Sequence, residues 1–207
     1  LSASSIFISG YLFSLIAKNW ARGKSEKRKT TLVSKIKNFF DGILMRTVLR
    51  FRAAGVMHSM IYVGFLGLFA GTITLEIHHL MPPSLKFLQG TTYFIYSFSL
   101  EVASLIYLFG IAWALFRRIF GTEDRIKTKT KTDDYLTLGL LAFMGISGLT
   151  TEAGRIIVEG FPEYEKWSFV GYFIADMLPV ENGVLFHRIS WIFHVVSFFV
   201  FLISLPQ

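Results

Sequence analysis

Three histidines stand in stretches of chain that are otherwise apolar. His58 lies about one turn into the uncharged run from Ala53 to Leu75, and His187 and His194 are two helical turns apart in the last apolar stretch. Imidazole is a neutral metal ligand near physiological pH, and ionisable groups inside membrane helices are rare and usually functional. Histidines so placed suit axial ligation of b-type haem.

The elements that must hold them are set by composition. The 207 residues are 53% hydrophobic and only 17% charged, and the mean hydropathy of +0.52 is that of a membrane protein rather than a soluble domain. A helix needs about 20 apolar residues to cross the hydrocarbon. The apolar runs predict five transmembrane spans, at about 1–18, 54–77, 89–117, 134–157 and 186–206, forming a single all-α bundle over residues 1–207. Only Glu101 interrupts the third run. The first run has its positive charges after the apolar stretch, the reverse of a secretory signal, and reads as a retained helix.

Of the 21 lysines and arginines, 11 fall between Lys18 and Arg52 and six between Arg117 and Lys131. The positive-inside rule then puts the N-terminus outside and the C-terminus in the cytoplasm, as in a multi-pass protein of the cytoplasmic membrane. The net charge of +7 serves topology and anionic lipid, so nucleic acid is excluded as a partner. The chain has no cysteine, and therefore no iron-sulfur cluster, covalent haem attachment or disulfide of its own. If electrons move through this protein, another domain or subunit must deliver them.

Two connecting segments carry further pattern. Ile36, Phe39, Phe40, Ile43 and Leu44 recur at helical spacing among Lys35, Lys37, Arg46 and Arg50, predicting an amphipathic helix at about 34–51 on the inner membrane surface, either a lipid anchor or a docking surface. Tyr164, Trp167, Phe169, Tyr172 and Phe173 lie between Pro162 and Pro179. They predict an outer lid at about 161–179, at headgroup level, either roofing a quinone or merely resting there.

Depth decides which histidines can share an iron. At about 1.5 Å per residue, His58 lies roughly 10 Å to the inner side of the bilayer centre, His194 roughly 5 Å and His187 roughly 15 Å to the outer side. His58 therefore needs a partner near or just beyond Gln207. His78 and His79 approach the depth of His187, and the rotation of about 100° per residue brings His79, not His78, near the face of His58. His187 and His194 differ by about 20° of rotation, one stripe that suits two stacked cofactors.

Other polar residues fit around them. Glu101 falls within about 5 Å in depth of His194, placed to orient a ligand, to take a proton from quinol, or to pack helices as a neutral acid. Arg155 and Arg188 suit haem propionates on the outer side, although Glu152 and Arg155 also suit a plain ion pair. Lys86, His187 and the lid converge where a quinone headgroup would bind. Gly64, Gly67 and Gly71 share a side of helix two roughly opposite His58, fitting close helix packing rather than a haem wall.

Taken in order, GVMHSMIYVGFLGLFAGTITLEI, YSFSLEVASLIYLFGIAWALFRR, TKTDDYLTLGLLAFMGISGLTTEAGRI, EKWSFVGYF and LFHRISWIFHVV resemble the nitrate reductase gamma-subunit-like cytochrome b domain. The resemblance is closest to the version preceding a heterodisulfide-reductase-type iron-sulfur domain in electron-transfer-flavoprotein:quinone oxidoreductases. It implies a five-helix bundle holding one or two b haems between helices two and five, with His58 as inner ligand and His194 as helix-five ligand. The family's second helix-two histidine falls near Leu68 here, and the cysteine-rich domain is absent from this sequence. The implied function is a b-type cytochrome subunit or domain of a respiratory oxidoreductase. It would pass electrons between a cytoplasmic flavin or iron-sulfur partner, such as an electron-transfer flavoprotein, and menaquinone or ubiquinone. The alternative is a non-redox bundle, a transporter or assembly anchor, that uses Glu101 and the histidines for proton or ion passage.

Overall fold

The computed structural model describes residues 2–23, 31–43, 45–46, 48–50, 52–121 and 132–204. Leu44, the basic residues between 122 and 131, and Gln207 lie outside them. The described residues are helical, with α1 (Ser2–Ala21), α2 (Leu32–Ile43), α3 (Arg52–Leu80), α4 (Thr91–Phe120), α5 (Thr132–Val158), α6 (Phe169–Asp176) and α7 (Gly183–Ser204), and with short 3-10 turns between several of them. Among the described residues four helices, α3, α4, α5 and α7, are long and apolar enough to cross a membrane. The first expected span forms the 20-residue α1, which is outside that set.

By contacts, the chain divides into two units, residues 1–56 with 196–207, and residues 57–195. In the first, Ser9 donates its hydroxyl to the Leu202 carbonyl at 2.9 Å. The α2 helix bears Ile36, Phe39, Phe40 and Ile43 as exposed side chains; it ends at Ile43, short of the expected 51, where Met45 at φ 53° closes the last turn, and Val48–Arg50 forms a separate 3-10 turn.

In the second unit, the glycines of α3 seat α4. A Cβ at Gly64 would come 2.7 Å from Tyr107 Cβ, and one at Gly71 would run into the Leu100 side chain. Tyr96 Oη adds a 2.9 Å bond to the Gly71 carbonyl. Small residues admit such backbone approach where helix association relies on packing. The buried stripe of α4 runs Ser97, Glu101, Ser104, Tyr107, Ile111 and Ala114, polar toward its N-terminus and apolar beyond Tyr107. The apolar half packs with Leu138, Met57, Ile61 and Phe65, and Tyr107 Oη donates to the Leu141 carbonyl of α5 at 3.0 Å. Large apolar side chains cover the outside of these helices, as lipid-facing surfaces require.

The end of α5 sets the course of the lid. Gly160, with φ of 77°, donates to the Ile157 carbonyl, and Phe161 N–H reaches the Ile156 carbonyl at 3.1 Å. This is a Schellman stop, in which a left-handed glycine satisfies the last carbonyls of the helix. Phe161 then packs edge-on against Tyr172, and Pro162 opens the 3-10 turn Glu163–Trp167. The turn and α6 are joined to α5 through Ala153, Ile156, Ile157 and Ala175.

Candidate functional site

The aromatic lid does not lie flat across the end of the bundle. Its segment from Glu165 to Gly171 descends alongside α4 in three successive polar contacts. Tyr93 Oη donates to Glu165 Oε1 at 2.5 Å, Ser97 Oγ meets Ser168 Oγ at 2.5 Å, and Gly171 N–H donates to Glu101 Oε1 at 2.9 Å. Glu101 lies ten residues into α4, roughly 15 Å along its axis, so the lid reaches that depth instead of staying at the rim. Outside this ladder Trp167 stacks on Phe94 and meets Phe98 edge-on.

Residues of α5 close the other side. Arg155 Nη1 donates to Glu165 Oε1 at 2.7 Å and to Glu159 at 3.1 Å, and Nη2 reaches Tyr93 Oη at 3.1 Å. The ion pair expected with Glu152 is thus made with Glu165 and Glu159, and the guanidinium is committed to the lid rather than held open for a propionate. Glu152 adjoins both Glu101 and Ser168. Gly171 passes between the carboxyls, where a Cβ would come 2.9 Å from Glu152 Cγ and 3.1 Å from its Oε2. Glu101 is only 1% exposed, and its Oε2 has no hydrogen-bond partner.

The electrostatics of the fully buried Glu165 are set by opposing effects. Burial works against its charge, but hydrogen bonds from Arg155 and Tyr93, the Arg155 charge and the Ser168 hydroxyl, which donates at 3.0 Å, outweigh it. Its carboxyl is held below the usual carboxylate range.

The histidines of α7 face α5. His187 Nδ1 is 3.0 Å from the Thr151 carbonyl, and His194 Nδ1 is 3.1 Å from the Met144 carbonyl and 3.1 Å from Ser147 Oγ. A carbonyl oxygen only accepts, so each Nδ1 carries the hydrogen, which in a neutral imidazole leaves the lone pair on Nε2. That is the tautomer required of an axial ligand, and a fixed Nδ1 bond is how ligating histidines are oriented. Two glycines make room for this approach. Cβ atoms at Gly154 and Gly148 would come 2.8 Å from His187 Cα and 3.2 Å from His194 Cε1. The α5–α7 face also carries an apolar cleft of about 270 Å³, with Phe143, Ile146, Phe186 and Phe193 among its walls.

On α3, His78 Nδ1 accepts the Leu88 N–H at 3.1 Å. Its hydrogen is then on Nε2, the opposite tautomer. His79 is exposed, with its ring against His78, and His58 is exposed with no hydrogen bond or ring contact among the described residues. Lys86 is half-buried in the α3–α4 connection, and Arg188 is exposed beside His187 in a niche completed by Trp191 and Ile192. The structure therefore joins Glu101 and Arg155 to one polar cluster, and His187 and His194 to one face of α5. Tyr93, Ser97, Glu165 and Ser168 belong to the cluster although no motif in the sequence marks them. The spacing of Tyr93, Ser97 and Glu101, four residues apart on one helical face, is the signal that could have found the α4 members.

Relatives share parts of this chain. It is 25% identical to the EtfAB:quinone oxidoreductase of Syntrophomonas wolfei subsp. wolfei, the match covering 98% of this chain and 29% of that protein. It is 26% identical to the probable iron-sulfur-binding oxidoreductase FadF of Bacillus subtilis, over 78% of this chain and 23% of that protein. The chain spans less than a third of the length of these curated relatives. No protein-family model matches it, and no solved structure does. The four apolar helices found among the described residues suggest a multi-pass membrane protein, and the chain is similar to part of two proteins named as oxidoreductases.

Proposed function

We propose that this chain is the membrane cytochrome b portion of a quinone-linked oxidoreductase of the cytoplasmic membrane. In this reading α1 is a fifth span, the N-terminus is outside, and the 34–51 region lies on the cytoplasmic surface. The observation that carries the reading is the pair of α7 histidines on one stripe, both with Nδ1 donating to α5 carbonyls. Two ring nitrogens oriented alike, about 10 Å apart along the axis, suit haem iron. His194 and His187 would hold the group, Arg188 would meet a propionate, and His58 would serve a second haem nearer the cytoplasm. Haem so held supplies single-electron transfer.

The chain's own residues have defined tasks in this reading. The α5 carbonyls hold the imidazoles in register, and the apolar lipid-facing side chains keep the group dry. The lid and α4 keep a protonatable carboxyl, Glu101, within the bundle. Electrons would pass between a cytoplasmic flavin or iron-sulfur partner, with an electron-transfer flavoprotein as the further donor, and menaquinone or ubiquinone bound near Lys86, His187 and the lid. Both named relatives are oxidoreductases, which supports this direction.

The test is a reduced-minus-oxidised absorption spectrum of the protein purified in lipid nanodiscs. A reversible b-type haem signal is expected. No such signal would overturn the reading and leave a non-redox bundle that uses the buried carboxyls for proton passage.

A further inference from the structure

The cluster between α4, α5 and the lid has a charge problem that its geometry answers. It gathers the carboxyls of Glu101, Glu152 and Glu165 around the single guanidinium of Arg155, with Glu159 at its edge. Arg155 makes its ion pairs with Glu165 and Glu159 and reaches Glu152 only through its field, so Glu101 and Glu152 adjoin each other with no ion pair of their own among the described residues. Glu101 takes one N–H from the first turn of α6 on Oε1, while Oε2 is buried without a hydrogen-bond partner. Two adjoining carboxyls in low dielectric do not both stay ionised, and one proton between them satisfies both. A metal is the poorer answer, because no three acidic or histidine side chains converge on one point among the described residues.

A continuous polar run leads from this pair to water. Glu152 adjoins Ser168, Ser168 Oγ donates to Glu165 Oε2 at 3.0 Å, and Arg155 bridges Glu165 to the half-exposed Glu159. The exposed Tyr164 hydroxyl also reaches Glu159, at 3.3 Å. We infer that Glu101 and Glu152 share one proton and exchange it with water at the lid end through Ser168 and Glu165, a proton path laid between α4, α5 and the lid. On the way out, an O–H bond of the pair breaks as Ser168 Oγ gains the proton. Ser168 gives up its own hydrogen to Glu165 Oε2, and Glu165 returns to its charged state by passing a proton from Oε1 to the Tyr93 hydroxyl, 2.5 Å away on a half-buried side chain, which releases its own hydrogen to water. Because the Arg155 pair favours the charged form of Glu165, the proton rests on the buried pair and crosses Glu165 only in transit. If the chain carries quinone chemistry as proposed above, the hydroquinone O–H is the proton source, and that coupling rests on that reading.

The experiment is infrared spectroscopy of the full chain in phospholipid nanodiscs, with each sample's haem spectrum recorded separately, so that failure of the redox reading and failure of the path are told apart. Wild type should show a carboxylic-acid C=O band at neutral pH that shifts in D2O. Glu101→Gln and Glu152→Gln should each remove it, since an amide keeps the shape but cannot share the proton. Ser168→Ala should keep the band and slow its exchange by about 100-fold, the scale of a lost proton-transfer group. A wild-type protein without the band overturns the inference whatever the variants do. A band that survives Glu152→Gln refutes sharing, and wild-type exchange in Ser168→Ala refutes the path.

Discussion

Ser97 Oγ and Ser168 Oγ, 71 residues apart in sequence, lie 2.5 Å from each other at the middle rung of the contact between α4 and the lid. Above them Tyr93 holds Glu165, and below them Glu101 holds the Gly171 amide. Three consecutive turns of one helix thus read three positions of a second segment, which makes the docked lid a specific arrangement rather than an apolar cover.

Gly171→Ala should undo the lowest rung. The added methyl would come 2.9 Å from Glu152 Cγ, and overpacking of this kind costs about 1–3 kcal/mol. The expected result is a lower thermal midpoint and faster tryptic cleavage after Lys166. An unchanged midpoint and cleavage rate would show that the lid does not enter between the carboxyls.

Acid should release the lid late. The Glu165 carboxyl is held below its ordinary value of 4.5, so the stability it contributes is present above that value and is lost as pH falls below it through the depressed folded value. Emission from Trp167, which stacks on Phe94, should stay constant on acidification to about 4.5 and change only at lower pH. Glu165→Gln should abolish that acid step, at a cost of about 3 kcal/mol for leaving Arg155 without its buried partner. A step at the ordinary carboxylate range in wild type would contradict the pairing.

Tautomer separates the histidines. His187→Ala and His194→Ala should each lower the haem-to-protein ratio, and His58→Ala should remove a separate, inner b signal in a chain that continues past Gln207. His78→Ala should change nothing, because the Leu88 amide already occupies its Nδ1 and leaves hydrogen on Nε2. Normal haem content in both α7 variants, or loss of haem in His78→Ala, would reverse the assignment.

Much of the fold is legible in the residues alone, and the limit has a physical cause. Hydropathy marks the four long helices, because a lipid-facing helix is apolar over its full length. The 100° step places Gly64, Gly67 and Gly71 on one side of α3, and that side does receive α4. The same step puts His187 and His194 on one stripe, which is how they stand. It cannot say which neighbour the stripe meets, and that neighbour is α5. The descent of the lid is not legible either. Glu165 and Ser168 look like ordinary loop residues, and their partners on α4 lie 72 and 71 positions away, beyond any local pattern.

Quinone reactivity should depend on the lid end of the bundle. Lys86→Ala, assayed for haem reoxidation by a soluble quinone analogue, should slow the reaction by about 10-fold, a loss of roughly 1.4 kcal/mol of transition-state stabilisation. Wild-type kinetics in Lys86→Ala with full haem would move the quinone site to the opposite end, near His58.

The three rungs join positions 72, 71 and 70 apart, which bears on how the protein is made. On the ribosome α4 is complete well before Glu165, Ser168 and Gly171 are synthesised, and these must travel the length of α5 to return. During that interval Ser97 and Glu101 have no lid to answer them. Until the lid residues arrive the buried polar stripe of α4 lacks the partners that satisfy it in the folded protein, so a variant that weakens docking should lower the amount of folded protein as well as its activity.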